Sequence, residues 1–123
     1  MKKFTILLMF FLPACAQMPT QQEINLADYG EYPSNSTEIV KTFYSKSLKD
    51  PDSAVYKYIS PPIKTVLGDR FQGVKYGYLV CATVNAKNSY GGYVGYHTDG
   101  FFIQNNIILN HLENGVWWGK NMC

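Results

Sequence analysis

The chain predicts an α+β domain in which one N-terminal helix packs on a small antiparallel sheet of about four or five strands. Three observations carry this reading. Ile39, Val40, Phe43, Tyr44 and Leu48 recur at helical spacing and mark one apolar stripe. Val74, Tyr76, Tyr78, Val80, Ala82 and Val84 alternate with Lys75, Gly77, Leu79, Cys81, Thr83 and Asn85, the period of a long strand. The later apolar runs are separated by short turns, as in a meander of strands rather than strands joined by helices.

Taken in order, residues 15–35 are rich in Gln, Asn and Pro, with sparse, unpatterned apolar residues, and predict a flexible tether. The folded domain then spans 36–123. Asn35 or Ser36 is the expected helix cap, and Pro51 should end the helix near Asp50, because the residue before proline is pushed out of the α region. Ala54 to Ile59 is a short strand that Pro61-Pro62 terminates. Ile63 to Leu67 is a second strand or an extended segment, and Gly68-Asp69 turns the chain. Val74 to Lys87 is the strongest strand. Its Val74-to-Val84 face is the expected core side, which leaves Leu79 and Cys81 on the other. Tyr93 to Ile103 is the return strand and Ile107 to Leu112 a further one. Asn114-Gly115 turns, and Val116-Trp117-Trp118 leads to Cys123.

The extreme N-terminus is of another kind. Lys2-Lys3, an apolar run from Phe4 to Leu12 and the small residues that follow make a secretory leader over residues 1–14, too short to be a permanent membrane span. Leu12-Pro13-Ala14-Cys15 resembles the lipobox of bacterial lipoproteins. That resemblance implies cleavage before Cys15 and a diacylglycerol on its sulfur, so that the lipid bilayer is the first expected partner. Ala16 after the modified cysteine implies, by the same resemblance, the outer membrane facing the periplasm. Ala14-Cys15-Ala16 is also an A-x-A cleavage site, which would release a soluble protein beginning at Gln17.

If lipid takes Cys15, Cys81 and Cys123 remain as an even pair in a compartment where disulfides persist. Bridging them closes a loop of about 42 residues, which a loop-entropy relation puts at roughly 4 kcal/mol. It also requires the C-terminal segment to fold over the Cys81 side of the sheet; one of Trp117 and Trp118 is expected to plug the core under the disulfide, and an exposed anchor is the alternative for the pair. Two unrelated buried thiols are the alternative, and a catalytic thiol lacks a nearby histidine in sequence. Loss of Lys2 and Lys3 with the leader leaves nine basic against nine acidic residues. With no basic run, nucleic acid is excluded as a partner class, and so is a polybasic membrane patch.

One segment stands out chemically. Asn85-Ala86-Lys87-Asn88-Ser89-Tyr90-Gly91-Gly92-Tyr93-Val94-Gly95-Tyr96 packs three glycines and three tyrosines into twelve residues. It predicts a hairpin in which Asn88 and Gly91-Gly92 can adopt the positive φ a tight connection needs and Gly95 permits a bulge or a close backbone approach. Asn85, Lys87, Asn88, Tyr90, Gly91, Gly92, Tyr93 and Tyr96 form the candidate recognition loop, because tyrosines offer rigid amphipathic contacts and Asn and Lys offer hydrogen bonds. The competing reading makes the asparagines turn-formers and the tyrosines a cover for the sheet. This segment, with Asp50-Pro51-Asp52-Ser53-Ala54 and the late cysteine, resembles a group of small exported proteins and lipoproteins of Gram-negative bacteria and their phages. That group carries D-P-x-S-A and C-x-x-V-N-A-K-N-x-x-G-G-Y-x-G motifs. The resemblance implies export and a cysteine pair and brings no activity with it.

Catalytic and metal signatures are poor. H-E-x-x-H, G-x-S-x-G and P-loop motifs do not occur, and no cofactor is implied. His97, Asp99 and His111 could form a metal site, which needs three or four convergent ligands and outer partners that orient them, and Asp50 with Asp52 fits a helix-ending turn. The expectation is a non-enzymatic envelope lipoprotein acting as a binding or structural accessory, with an envelope protein or a glycan as partner. A cell-wall glycan hydrolase or inhibitor and a phage-derived surface-exclusion factor are the alternatives.

Overall fold

The computed structural model describes residues 18–123. The leader and Cys15 lie outside the described residues. The fold is α+β: two α-helices, α1 (Gln21–Leu26) and α2 (Ser36–Ser47), precede five strands of one antiparallel sheet and a two-stranded C-terminal ribbon.

Strand β3 (Gly73–Asn85) is the spine of the sheet. Strands β1 (Val55–Ile59) and β2 (Ile63–Asp69) share one of its edges, β1 against residues 82–85 and β2 against residues 73–79. Strands β4 (His97–Gln104) and β5 (Ile107–Leu112) continue the sheet from its other edge. The ribbon is β6 (Val116–Trp117) with β7 (Lys120–Asn121).

Helix α2 forms where its apolar stripe predicts. Val40 and Tyr44 are buried, and Ile39, Phe43 and Leu48 pack with them on Val80, Ala82, Val84, Phe101 and Ile103. The helix stops at Ser47, short of Asp50: Leu48 turns to extended backbone and packs against this cluster, and Pro51 instead opens a 3-10 turn over Pro51–Ser53. Asn35 occupies the cap position, but its side chain makes no capping bond.

Three expectations need correction. The sheet is buried on both faces. Leu79, Leu67, Phe102 and Leu112 form a second cluster on the face opposite α2, with Cys81, Trp117 and Met122 packed on it. The C-terminal ribbon covers that face, as a Cys81–Cys123 disulfide demands, and the bond is present. Gly100 and Gly115 leave room for it: a methyl group at Gly115 would meet Cys123 Cβ at 2.7 Å, and one at Gly100 would meet Cys123 Sγ at 3.0 Å.

The supposed tether is built structure from residue 20 onward. Thr20 and Glu23 form a reciprocal capping box on α1. Tyr29 is buried edge-on against Tyr76, and Tyr32 stands edge-on to Tyr78. Pro33 is fully buried, and the Glu31 N–H donates to Asn105 Oδ1. Polar composition does not forbid this, because a few aromatic side chains suffice to dock the segment. The return strand, finally, begins at His97 and not at Tyr93. Lys87 and Tyr93 share one isolated bridge, and Gly95 at φ 102° takes the chain out of strand geometry.

Candidate functional site

The segment from Asn85 to Tyr96 is a loop whose backbone is fixed by side chains. Asn88 Oδ1 accepts from the N–H groups of Tyr90 (2.9 Å) and Gly92 (3.2 Å), while the Asn88 N–H donates to the Gly92 carbonyl (2.9 Å). Of Asn88, Gly91 and Gly92, only Gly91 has positive φ, at 81°. The Asn88 side chain supplies what a left-handed backbone was expected to supply. Asn85 Oδ1 accepts from the Gly95 N–H at 3.0 Å and ties the far end of the loop to β3. Both asparagines are therefore spent on the fold.

Ser53 anchors the loop to the turn after α2. Its hydroxyl donates to the Asp50 carbonyl (2.7 Å) and accepts from the Lys87 N–H (2.8 Å), and its carbonyl accepts from the Tyr93 hydroxyl (3.1 Å). The D-P-x-S-A segment and the glycine-tyrosine segment thus meet in space. The serine of D-P-x-S-A is the one signal of this contact that the sequence carries.

The aromatic side chains face water. Tyr90 is 96% exposed, and Tyr93 and Tyr96 are each about half exposed. Tyr58 on β1 is exposed as well. The Lys87 ammonium lies 5.5 Å from the centre of the Tyr93 ring, and the Lys57 ammonium 5.5 Å from that of Tyr96. The surface so formed presents aromatic rings with cations against two of them, on a backbone held rigid beneath.

A second constellation lies in a cleft of about 490 Å3 lined by Phe43, Tyr44, His97, Asp99, His111 and Glu113, among others. Asp99 is buried. Its Oδ2 accepts from the Tyr44 hydroxyl at 2.6 Å and lies 3.1 Å from His97 Nε2 and 3.5 Å from His111 Nε2. Its Oδ1 accepts from the Asn114 N–H at 3.0 Å. Burial pushes the Asp99 pKa up, but the Tyr44 and Asn114 hydrogen bonds and the two histidine charges outweigh it, and the carboxyl ends below its usual range. Burial and the adjacent carboxylate push the Tyr44 phenol well above its ordinary value. His111 is sandwiched, stacked on Phe101 and tilted against Phe43.

The structure brings His97, Asp99 and His111 together around one carboxylate oxygen. Among the described residues no set of three His, Cys, Asp or Glu side chains is arranged to hold a metal. The cluster is a hydrogen-bonded knot centred on Asp99, with both imidazoles partly exposed at the cleft. It can orient imidazole and retain negative charge. Asp99 cannot serve as a general acid near neutral pH, because a carboxyl held below its usual range is ionised there. Tyr44, 55 residues from Asp99, was assigned to the apolar stripe by its spacing, and nothing local signals its hydroxyl's role.

Among the described residues no helix is long and apolar enough to cross a membrane. No protein-family model, curated protein or solved structure matches this chain.

Proposed function

We propose that the chain is a lipid-anchored, non-enzymatic binding protein of the bacterial envelope, held to a bilayer through Cys15 and presenting its tyrosine-rich loop to an envelope partner. The observation that carries the binding role is the contrast within that loop. Asn85, Asn88 and Ser53 spend their polar groups on fixing the backbone, while Tyr90 and Tyr96 are held in water without a hydrogen bond to the body. Rigid, pre-ordered aromatic rings lose little entropy when a partner stacks on them. A glycan strand or a protein segment rich in carbonyl groups suits rings flanked by Lys57 and Lys87. The Cys81–Cys123 bond is consistent with export, as is the resemblance to small exported proteins of Gram-negative bacteria and phages.

The test is co-sedimentation of the mature protein with purified peptidoglycan, together with pull-down from envelope extracts. Tyr90→Ala with Tyr96→Ala should weaken the retained interaction about tenfold or more, with an unchanged melting temperature. A pair of variants that lowers the melting temperature by several degrees and leaves binding intact would return both rings to a structural role.

The Asp99 cleft favours a second reading, a hydrolase acting on cell-wall glycan, because a carboxylate orienting an imidazole is a recurrent proton-moving unit. Glycoside hydrolysis by two carboxyl groups, however, needs one held protonated, and Asp99 is not that group. Turnover of peptidoglycan that His97→Ala abolishes would establish this reading over the first.

A further inference from the structure

The first described residue, Met18, stands at an apolar groove. The groove, of about 430 Å3, is lined by Met18, Leu67, Val74, Trp117, Trp118 and Met122, among others. Met18 follows Cys15 by three residues in the sequence, a reach of at most about 11 Å. Around the groove stand Phe71, 88% exposed, and Trp118, 55% exposed, with ring centres 6.2 Å apart. The Arg70 guanidinium sits 5.3 Å from the centre of the Trp118 ring, and Arg70 and Lys120 both line the groove. Asp69 also lines it, but its Oδ1 is occupied by the Phe71 and Gln72 N–H groups.

Trp118 is held there against its own backbone preference. It and Gly119 form the two-residue connection of the β6–β7 ribbon, with φ of 47° and 77°. Such a connection needs positive φ at both positions and favours Asn-Gly; a bulky aromatic at the first is uncommon. An exposed tryptophan in a strained position, next to an exposed phenylalanine, two cations and the point where the anchored chain arrives, has the composition of a membrane-interface contact. The sequence shows no basic run. The fold nonetheless gathers Arg70 and Lys120, which are fifty residues apart in sequence, at one rim.

We propose that the Phe71–Trp118 rim is a bilayer-docking face, on which the body rests with Phe71 and Trp118 in the lipid interface and Arg70 and Lys120 against phosphate headgroups. This deepens the anchored-protein reading above and rests on it for the role of Cys15. It replaces a body dangling on a mobile tether with one held in a fixed orientation.

The test uses vesicles of phosphatidylethanolamine and phosphatidylglycerol carrying brominated acyl chains. Intact-mass measurement first reports whether the native protein carries lipid at Cys15. Tryptophan fluorescence is then read for the native chain and for full-length mature Cys15→Ser. Quenching by brominated chains in both, with Trp118→Asn losing the quenched component and Trp117 remaining as an unquenched reference, is the expected result. Vesicle partitioning of Cys15→Ser should fall about tenfold or more on adding Trp118→Asn and Phe71→Ala. The melting temperature of Trp118→Asn should hold or rise, because asparagine suits the turn; a merely structural Trp118 would give a fall.

A lipidated native chain whose tryptophans stay unquenched overturns the docking face and leaves the anchor standing. A native chain without lipid removes the anchor, and Cys15→Ser partitioning still decides the face. Concentration-dependent self-association lost in Trp118→Asn would assign the face to a second copy and overturn the proposal. So would a lipidated chain that stays soluble without vesicles, with a blue-shifted Trp118 relative to Cys15→Ser, since the groove would then hold its own acyl chain.

Discussion

The face of the sheet under α2 and the face under the C-terminal ribbon both bury aromatic and aliphatic side chains, but they are closed by different means. Under α2, a twelve-residue helix supplies the cover, and Asp99, the one buried charge among the described residues, is held by Tyr44, Asn114 and two imidazoles. Under the ribbon, the cover is two strands of two residues each, too little to dock by area alone. There the closure comes from the Cys81–Cys123 bond and from Trp117, whose indole N–H donates to the Gly68 carbonyl at 2.6 Å. The first face should therefore respond to pH and the second to reductant, and the two responses should be separable.

The largest effect expected is on the ribbon face. Replacing Cys81 and Cys123 together by alanine should cost about 4 kcal/mol, the loop-entropy value for a closed loop of this length. Chemical unfolding of the double variant measures it, and reductant should mimic the substitution in the native chain. A loss below about 1 kcal/mol would mean that Trp117 and Met122 close the face without the bond.

The next effect lies on the other face. Tyr44→Phe removes a hydrogen bond to a buried carboxylate, and should cost about 1.5–3 kcal/mol at neutral pH. The pH dependence follows chiefly from Asp99 and Tyr44, with a smaller alkaline share from Tyr56, whose phenol burial also pushes up. Asp99 is held below its ordinary value of 3.8 in the folded state, so its contribution is present above that pH and lost as pH falls below it. Tyr44 is held above its ordinary 10.0, so folding is unaffected below pH 10 and weakens as the pH rises beyond it, where the unfolded phenol ionises and the folded one does not. Tyr44→Phe should shrink both limbs, leaving the Tyr56 share of the alkaline one. The double-cysteine variant should keep both limbs while lying lower throughout. If removing the disulfide changed the shape of the pH profile, the two faces would be coupled.

A smaller perturbation sharpens the comparison from inside the ribbon. Gly115 has φ of 69°, and a methyl group there would approach Cys123 Cβ to 2.7 Å. Gly115→Ala should cost about 1–3 kcal/mol through overpacking and backbone strain. Cys123→Ala in the same chain should not relieve that cost, because alanine keeps the Cβ that the new methyl meets and the change also removes the disulfide.

The two faces also differ in how much of them could be read in sequence. Helix α2 and strands β3 and β5 follow from periodicity, because the α2 face is patterned locally: every apolar contact of the helix lies within one stripe. The pairing of Cys81 with Cys123 was legible from cysteine number, given the export that the leader leads one to expect. The apolar character of the ribbon face did not, because its members come singly from distant places. Leu67, Leu79, Phe102 and Leu112 lie on four different strands, and a run such as Tyr78-Leu79-Val80-Cys81 has no polar alternate to warn that one side faces water. The same reasoning explains residues 20–35: Tyr29 and Tyr32 are docked by Tyr76 and Tyr78, more than forty residues on, and a window over the segment shows mostly polar residues with a few unpatterned apolar ones. At the candidate sites, the loop's unusual composition was visible. That Asn85 and Asn88 turn inward while Tyr90 and Tyr96 turn outward was not, since composition assigns no direction to a side chain. The Asp99 knot depended on Tyr44, whose ring belongs to the stripe and whose hydroxyl does not.

The smallest expected effect concerns the tyrosine loop, which belongs to neither face. Asn88→Ala removes an acceptor shared by two backbone N–H groups at an exposed turn, where water replaces much of what is lost. A cost of about 0.5–1.5 kcal/mol follows for a turn hydrogen bond of this kind. Asn88→Gly removes the same acceptor and adds backbone freedom as well, so it should cost no less. Neither change touches the Cys81–Cys123 bond or the Asp99 carboxylate, so the reductant response and both pH limbs should keep their native form. Ligand retention should nevertheless fall with Asn88→Ala, because the exposed rings then sit on a mobile backbone and lose their pre-ordering. Amide hydrogen exchange locates the change: protection should drop at Tyr90 and Gly92 alone, while the amides of β3 and β4 keep theirs. Loss of protection spreading into β3 would show instead that the loop is a structural clamp on the sheet and that its tyrosines are displayed as a consequence of that clamp.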